Sequence, residues 1–308
     1  MNDKLTAKHE PVLLKEVLEV LQVKDNAHLN KPKFIDATLG LGGHSEAIVK
    51  FGGEVLGIDA DFSYLEIAKV RLIKACSTPH GNGGQFKLVQ GNFRNIKSIA
   101  EAEGYKQVDG ILFDLGVSSP QITSNIRGFS FQFGGAPLDM RLNPGTQAVT
   151  AADLINALDK KQLIGVFLQT LDYKTAEKIS SAIIRKRSDK QIKIVSDLNE
   201  IIARTVVPKK GIHPSTLPYM ALRMAVNTEL ITIGEALPDA FGLLKKSGRM
   251  VVISFHSGED KIVKGFFRDL VSNNEAKLVI KGIVKPGEEE IKDNPRARSA
   301  KLRAIEKI

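Results

Sequence analysis

The sequence lacks several features that would each indicate a class of protein. It has one cysteine, Cys76, so it can form neither an internal disulfide nor a multi-cysteine zinc site. It has no tryptophan, and no apolar run approaches the roughly 20 residues that cross a bilayer. The first residues, MNDKLTAKHE, contain no apolar stretch of a secretory signal. We therefore expect a cytoplasmic protein without a membrane segment.

The chain has fewer acidic than basic residues. There are 44 Lys and Arg against 35 Asp and Glu, a net charge of +9. Residues 140–212 contain 13 basic and 7 acidic residues, and residues 292–308 contain 6 and 2. Clustered positive charge favours a polyanionic partner such as nucleic acid, with an ordinary solvated surface as the alternative. Candidate phosphate contacts are Arg185, Lys186, Arg187, Lys190, Lys193 and the tail 296–303.

The first third of the chain alternates short β-rich runs with segments of helical spacing. The runs predict four strands, at 33–40, 54–60, 86–93 and 108–116. Strands separated by helices imply right-handed crossovers and a parallel sheet that is buried on both faces. Ligands of such sheets bind beyond the carboxyl ends of the strands, so residues at those ends are the candidates for a site.

The alternation stops after Gly116, because the next convincing strand is 248–257. The intervening segment has mostly helical spacing, which predicts a helical domain inserted into the α/β domain. We expect one helix, 217–244, to resume the α/β domain, followed by strands at 276–284 and 300–308. The predicted division is a first α/β part at 1–119, an inserted helical domain at 120–212 and a second α/β part at 213–308.

A glycine-rich turn follows the first strand, in the sequence Gly40-Leu41-Gly42-Gly43-His44. Ser45 stands where the dinucleotide-binding pattern has its third glycine. Asp59 ends the second strand 17 residues after Gly42, close to the spacing at which a carboxylate accepts hydrogen bonds from ribose hydroxyls. This pair favours an adenosine cofactor without a pyrophosphate, S-adenosylmethionine rather than NAD. A plain tight turn and a nicotinamide-dependent dehydrogenase remain the alternatives.

Two further strand ends carry candidate residues. Phe93 could border an adenine ring or simply pack in the core. Asp114 begins the sequence DLGVSSPQ, which ends at Gln121, and an acid followed by small residues suits the place where a methyl group meets its substrate. A helix cap is the alternative role of Asp114. His44 could stack near the methionine part of the cofactor or cap a helix. No pair of the six histidines has the spacing of metal ligands, so we expect no metal.

Eight separated motifs make the chain resemble one family, the RsmH/MraW methyltransferases. They are HEPVLL (9–14), DATLGLGGHS (36–45), GIDAD (57–61), DLGVSSPQ (114–121), RGFSF (127–131), PLDMR (137–141), ISFHSGEDKIVK (253–264) and NPRARSAKLR (294–303). The resemblance implies a class I, Rossmann-like α/β methyltransferase sheet with an inserted helical domain. It implies S-adenosylmethionine-dependent methylation of cytosine N4 in 16S rRNA of the small ribosomal subunit, at the peptidyl site, and makes a homodimer plausible.

The resemblance also implies which residues hold the cofactor: Gly42, Gly43, His44, Asp59, Phe93, Asp114 and Gln121. Asp114 is the best candidate for orienting the N4 amine. The chain departs from the family at Gly258, where Leu is usual, and at 216–223, where TLPYMALR replaces TRTFQALR-like residues. A ribosome-assembly factor without turnover is the non-enzymatic alternative.

Overall fold

The computed structural model describes residues 11–24, 31–77, 83–116, 126–208 and 211–308. The chain forms two compact units, one from residues 1–116 with 230–308 and the other from 117–229. In the described part, no helix is both long enough and apolar enough to cross a membrane.

The first unit contains all seven named strands of the described chain. They are β1 (Lys33–Asp36), β2 (Glu54–Asp59), β3 (Gln85–Gln90), β4 (Val108–Asp114), β5 (Leu244–Ser254), β6 (Ala276–Leu278) and β7 (Lys301–Lys307). The helices, in chain order, are α1 (Leu14–Val20), α2 (Gly43–Lys50), α3 (Phe62–Cys76), α4 (Ile96–Glu103), α5 (Ala151–Ala157), α6 (Lys160–Phe167), α7 (Tyr173–Asp189), α8 (Val195–Thr205), α9 (Thr216–Val226), α10 (Glu229–Leu243), α11 (Ser257–Ser272) and α12 (Glu288–Asp293).

The sheet has the order β3-β2-β1-β4-β5-β7-β6. Its first five strands pair in parallel, whereas β7 runs antiparallel to β5 and β6. The chain moves outward from β1 to β3 and then returns to add β4 on the other side of β1. The strand order therefore reverses between β1 and β4, where α/β sheets open a crevice for ligands. The predicted α/β, Rossmann-like sheet is confirmed.

Both faces of the sheet are covered, which explains the continuous apolar runs of its strands. Alternate side chains of one strand enter different cores. Ile111 and Phe113 of β4 pack with apolar residues of α4, α10 and α11, whereas Leu112 packs with those of α1, α2 and α3. Burial of this kind contributes about 25 cal/mol per Å² of apolar surface and fixes the positions of the strand ends.

The second unit is helical and has its own apolar core, to which α5 to α9 contribute. Tyr219 and Leu222 of α9 are buried in this core, so the unit extends to Glu229 and not to the expected boundary at 212. The predicted single helix 217–244 is wrong, because Thr228 has a left-handed φ of 48° and separates α9 from α10. The Asn227 amide fixes this break by donating to the carbonyl oxygen of Met140 at 2.8 Å.

The fifth strand begins and ends earlier than its predicted range of 248–257. Its pairing with β4 shifts register between Val108 and Gly110, and Ser247 takes a φ of 63° nearby. The strand ends at Ser254 because the next helix is capped by His256, whose Nδ1 accepts hydrogen bonds from the N–H groups of Gly258 and Glu259.

Candidate active site

The glycine turn after β1 has a geometry that only glycine satisfies at two positions. Gly42 has a φ of 76°, and a Cβ there would lie 3.0 Å from the Cβ of Ala68 in α3. A Cβ at Gly43 would lie 2.5 Å from Cγ of Pro11, closer than real Cβ contacts come. The two glycines therefore let α2 start in close contact with α3 and with the segment before α1.

Asp59, at the end of β2, joins this turn to the second strand. Its Oδ2 accepts the Gly40 N–H at 2.8 Å, and its Oδ1 accepts the Asp61 N–H at 2.8 Å. Each carboxylate oxygen has a second acceptor direction, so both can still receive a hydroxyl group. Burial raises the pKa of Asp59 to about 6, although the two N–H donors oppose the shift. The sequence-predicted ribose acceptor thus lies directly beside the glycine turn.

Asp114, at the end of β4, has a carboxyl group that receives no backbone N–H hydrogen bond from the described residues. Its backbone N–H donates to Thr38 Oγ1 at 2.6 Å, which ties the ends of β4 and β1 together. Its Oδ1 is buried, and no group of the described residues bonds to it. Burial, with the nearby charges of Asp36 and Glu259, raises the pKa of Asp114 to about 8. Such an orphaned oxygen at a strand end is a candidate contact for a ligand.

His44, in the first turn of α2, is buried and faces Asp114. Its Nε2 lies 3.0 Å from the Val12 carbonyl oxygen, which can only accept, so this nitrogen carries a proton. Its Nδ1 lies 3.9 Å from Asp114 Oδ2. The structure therefore brings His44, Asp59 and Asp114 to one edge of the sheet, together with Gly42 and Gly43.

Phe93 and Gln121 complete the set expected from the sequence. Phe93 follows β3 and packs edge-to-face on Phe113, with ring centroids 5.7 Å apart, yet it stays partly exposed. Its two expected roles, packing and bordering a ligand, are therefore compatible. Gln121 lies outside the described residues.

Asp36 was not among the residues expected at the site. It ends β1 and is 1% exposed, and its two oxygens accept the Ser45 hydroxyl at 2.7 Å and the Thr38 N–H at 3.3 Å. Burial raises its pKa to about 6. The serine that replaces the third glycine thus has a definite role as donor to a buried acid. The available signal was that Asp36 ends its strand just as Asp59 and Asp114 do.

The two departures from the family pattern have structural consequences of different kinds. A Cβ at Gly258 would lie 3.1 Å from the His256 ring, so glycine leaves room for the ring to cap α11. In α9, the Tyr219 hydroxyl lies 3.2 Å from the Val195 carbonyl oxygen and 3.1 Å from Asn199 Oδ1, inside the helical unit. Both changes are accommodated by local packing.

Several of the basic side chains of the helical unit have partners within it. Arg187 donates to the Ile155 carbonyl oxygen at 2.6 Å. Lys186 lies 3.4 Å from Glu200, and Lys190 lies 3.9 Å from Asp197. Two of the five candidates, Arg185 and Lys193, are exposed and have neither an ion pair nor a side-chain hydrogen bond to a described residue.

The basic residues of the tail 296–303 also include some that have acidic partners and some that have none among the described residues. Arg303 in β7 binds both carboxylate oxygens of Asp260, at 2.7 and 3.2 Å, and Lys301 lies 3.5 Å from the same group. These two residues therefore stabilise the contact between β7 and α11. Arg296 and Arg298, which precede the strand, are exposed and form no such pair within the described chain.

Comparison with known proteins gives a consistent assignment. The family model described as MraW methylase family matches residues 6–308. Ribosomal RNA small subunit methyltransferase H of Halothermothrix orenii is 40% identical over 322 residues, covering 97% of this chain and 98% of the relative. The protein of the same name from Carboxydothermus hydrogenoformans is 41% identical over 318 residues, with the same coverage.

A solved rRNA methylase structure from Streptococcus thermophilus matches with a TM-score of 0.44 and 10% identity, covering 98% of this chain and 99% of that one. The assignment rests on the sequence matches, which extend over nearly the whole chain. The protein belongs to the MraW methylase family.

Proposed function

We propose that the chain methylates N4 of a cytidine in 16S rRNA, in the peptidyl-site region, with the small ribosomal subunit as substrate and S-adenosylmethionine as methyl donor. Family membership and the names of its relatives, small-subunit rRNA methyltransferases, support this proposal. The main observation behind it is the edge formed by the glycine turn, Asp59 and Asp114. This edge combines a carboxylate suited to accept ribose hydroxyls with a buried carboxyl oxygen that has no partner among the described residues.

The residues of this edge fit the proposed cofactor. Asp59 retains acceptor capacity for ribose hydroxyls beside the glycine turn. A Cβ built at Gly40, where φ is 51°, would meet only the Thr38 carbonyl oxygen among the described residues, so space remains beside the turn. Phe93 is partly exposed after β3 and would border the adenine. S-adenosylmethionine supplies an activated methyl group, and the protein has to hold the acceptor amine in line with it.

Positioning is the main catalytic contribution that this site needs to make. Correct orientation of two reactants can lower a barrier by about 7–11 kcal/mol. The cytosine amine is a poor nucleophile because its lone pair is conjugated with the ring. An acceptor for one N4 hydrogen favours a pyramidal amine, and Asp114 Oδ1 is the acceptor that we assign to this role. The base has to leave its stack to reach the site, which costs a few kcal/mol and which contacts to phosphates can offset.

Chemistry at cytosine N4, rather than at C5, agrees with the place of the only thiol. Attack by C5 needs a thiolate adduct at the ring. Cys76 ends the 15-residue helix α3, about 20 Å along the helix from its start next to Asp59 and Asp61. Its thiol lies 3.4 Å from the Gly84 carbonyl oxygen, and burial raises its pKa. Cys76 is therefore unsuited to act as the nucleophile.

The decisive experiment is transfer of tritiated methyl from S-adenosylmethionine to small ribosomal subunits, followed by nucleoside analysis. We expect label in N4-methylcytidine, and about 100-fold or greater loss of turnover in Asp114→Asn. Asp269→Asn changes an exposed carboxylate on α11 and serves as the control. Label in C5-methylcytidine, or none, would contradict the proposal, and full turnover of Asp114→Asn would exclude the role of Asp114.

A further inference from the structure

Three buried carboxyl groups lie at the ends of adjacent strands. Asp36 ends β1, Asp59 ends β2 and Asp114 ends β4, and the sheet places β1 between the other two. Each of these acids is close enough to affect the ionisation of another: Asp36 raises the pKa of both Asp59 and Asp114. Three negative charges at one desolvated edge repel each other, so their protonation states are linked.

The hydrogen bonds of these acids are unequal. Asp36 accepts from Ser45 and from the Thr38 N–H, and Asp59 accepts from two backbone N–H groups. These donors stabilise the ionised forms. The Asp114 carboxyl has no comparable donor, since its Oδ1 is buried without a partner in the described chain. Asp114 is therefore the member of the group on which a proton is held most firmly.

His44 is suited to face a protonated Asp114. Because its Nε2–H is directed to the Val12 carbonyl oxygen, a neutral ring presents the lone pair of Nδ1 toward Asp114 Oδ2, at 3.9 Å. A carboxylate at this place would face the lone pair of a neutral ring unfavourably, whereas a carboxylic acid would not; only a ring protonated at Nδ1 would pair with the carboxylate. Two acids also act on Asp114: Asp36 at the end of β1 and Glu259 in the first turn of α11, whose negative charges favour the protonated form.

We propose that Asp114 holds a proton in the cofactor-free protein, releases it when the positively charged sulfonium of S-adenosylmethionine binds, and as a carboxylate takes up the proton that the substrate amine loses. This inference rests on the proposed function. It makes the charge of the cofactor the signal that sets the protonation state of Asp114, so that the thioether product, which has no sulfonium charge, leaves the acid protonated again.

The step balances without a further reactant. The bond from N4 to the methyl carbon forms while the bond from that carbon to sulfur breaks, and the electron pair of the broken bond stays on sulfur. The proton of N4 passes to the Asp114 carboxylate. Asp114 is therefore protonated again when methyl transfer is complete. The one proton that the overall reaction releases to solvent is the proton that left Asp114 when the cofactor bound.

The test is calorimetry of the purified full-length chain at about pH 7 in buffers of different ionisation enthalpy. With a pKa of about 8, Asp114 is protonated in about nine tenths of the free molecules at this pH. We expect S-adenosylmethionine to release close to that fraction of a proton and S-adenosylhomocysteine to release much less. The difference should vanish in Asp114→Asn and persist in Asp269→Asn.

A second measurement needs no variant. Between about pH 7 and pH 8, above the pKa values of about 6 for Asp36 and Asp59, the affinity ratio of the sulfonium over the thioether should rise severalfold. Equal proton release by both ligands would overturn the proposal, because the charge on sulfur would then not be sensed. No release by either ligand would overturn it too. Absence of binding heat for both ligands would instead count against the proposed function.

Discussion

Replacement of Asp36 by Asn tests whether burial has a larger effect than hydrogen bonding on the pKa values of the acids at the strand ends. Asp36 is 1% exposed, and its pKa is raised from 3.8 to about 6 although Ser45 and Thr38 donate to it. The Asp36→Asn variant keeps an acceptor for the Thr38 N–H, and its amide can donate to the Ser45 hydroxyl oxygen. The substitution therefore removes the ionisation and retains most of the local geometry.

The sign of the pH dependence follows from the raised pKa. Between pH 3.8 and about pH 6 the folded state binds more protons than the unfolded state, so the free energy of unfolding falls as pH rises. A shift of this size is equivalent to about 3 kcal/mol, as an upper limit, that the wild type loses over that range. Since Asp36 also raises the pKa of Asp59 and Asp114, its replacement relieves those groups in the same direction.

The assay is urea denaturation of both proteins from about pH 4.5 to about pH 7.5. Relative to wild type, Asp36→Asn should gain stability progressively toward higher pH and level off above about pH 7. Asp269→Asn, at an exposed position, should show no such trend. A difference that stays constant with pH, or a variant that becomes less stable than wild type as pH rises, would refute the dominance of burial at Asp36.

Two other expectations concern the nucleic-acid surface and the glycine turn. Reversing the charges of Arg185 and Lys193 together should weaken RNA binding and reduce the slope of log affinity against log salt by about 1 for each phosphate that is no longer neutralised, with cofactor binding intact. Filter binding at several salt concentrations checks this against the exposed Lys97→Glu control, and an unchanged slope would contradict it. Gly43→Ala should cost about 1–3 kcal/mol of unfolding free energy, because the added Cβ overlaps with Pro11. Gly234→Ala in α10, where a Cβ meets nothing within 4 Å, should instead raise the unfolding free energy. Equal effects of the two substitutions in denaturation experiments would contradict the overlap.

The sheet could be predicted from the sequence because its signals are local. Residues 54–59 combine an apolar run with buried Val55, Leu56 and Ile58, and helical spacing follows at once in α3. The end of the helical unit could not be predicted in this way. Both α9 and α10 are apolar helices, and the break between them depends on Asn227, whose amide reaches Met140, 87 residues away along the chain.

The same distinction applies to the site. Gly42, Gly43, Asp59 and Asp114 could be singled out because each stands at a strand end or in the turn that follows one, and parallel strands bring their carboxyl ends to one edge. The orientation of His44 could not, since it depends on contact with the Val12 carbonyl oxygen. Asp36 carried the same local signal as Asp59, but its importance becomes visible only when Ser45 is found bonded to it.

Burying three acids at one edge of the sheet lowers the stability of the protein, and a bound cofactor can compensate for this loss. Raised pKa values of Asp36, Asp59 and Asp114 mean that the cofactor-free protein loses stability as pH rises, and that the loss is complete only when these groups have ionised. A positively charged ligand offsets the repulsion, and any ligand that binds only the folded state adds stability through mass action. An edge arranged to be stable alone would place donors on every carboxyl oxygen. The absence of a donor at Asp114 Oδ1 within the described chain therefore fits a group arranged for the bound state and for the proton it has to accept.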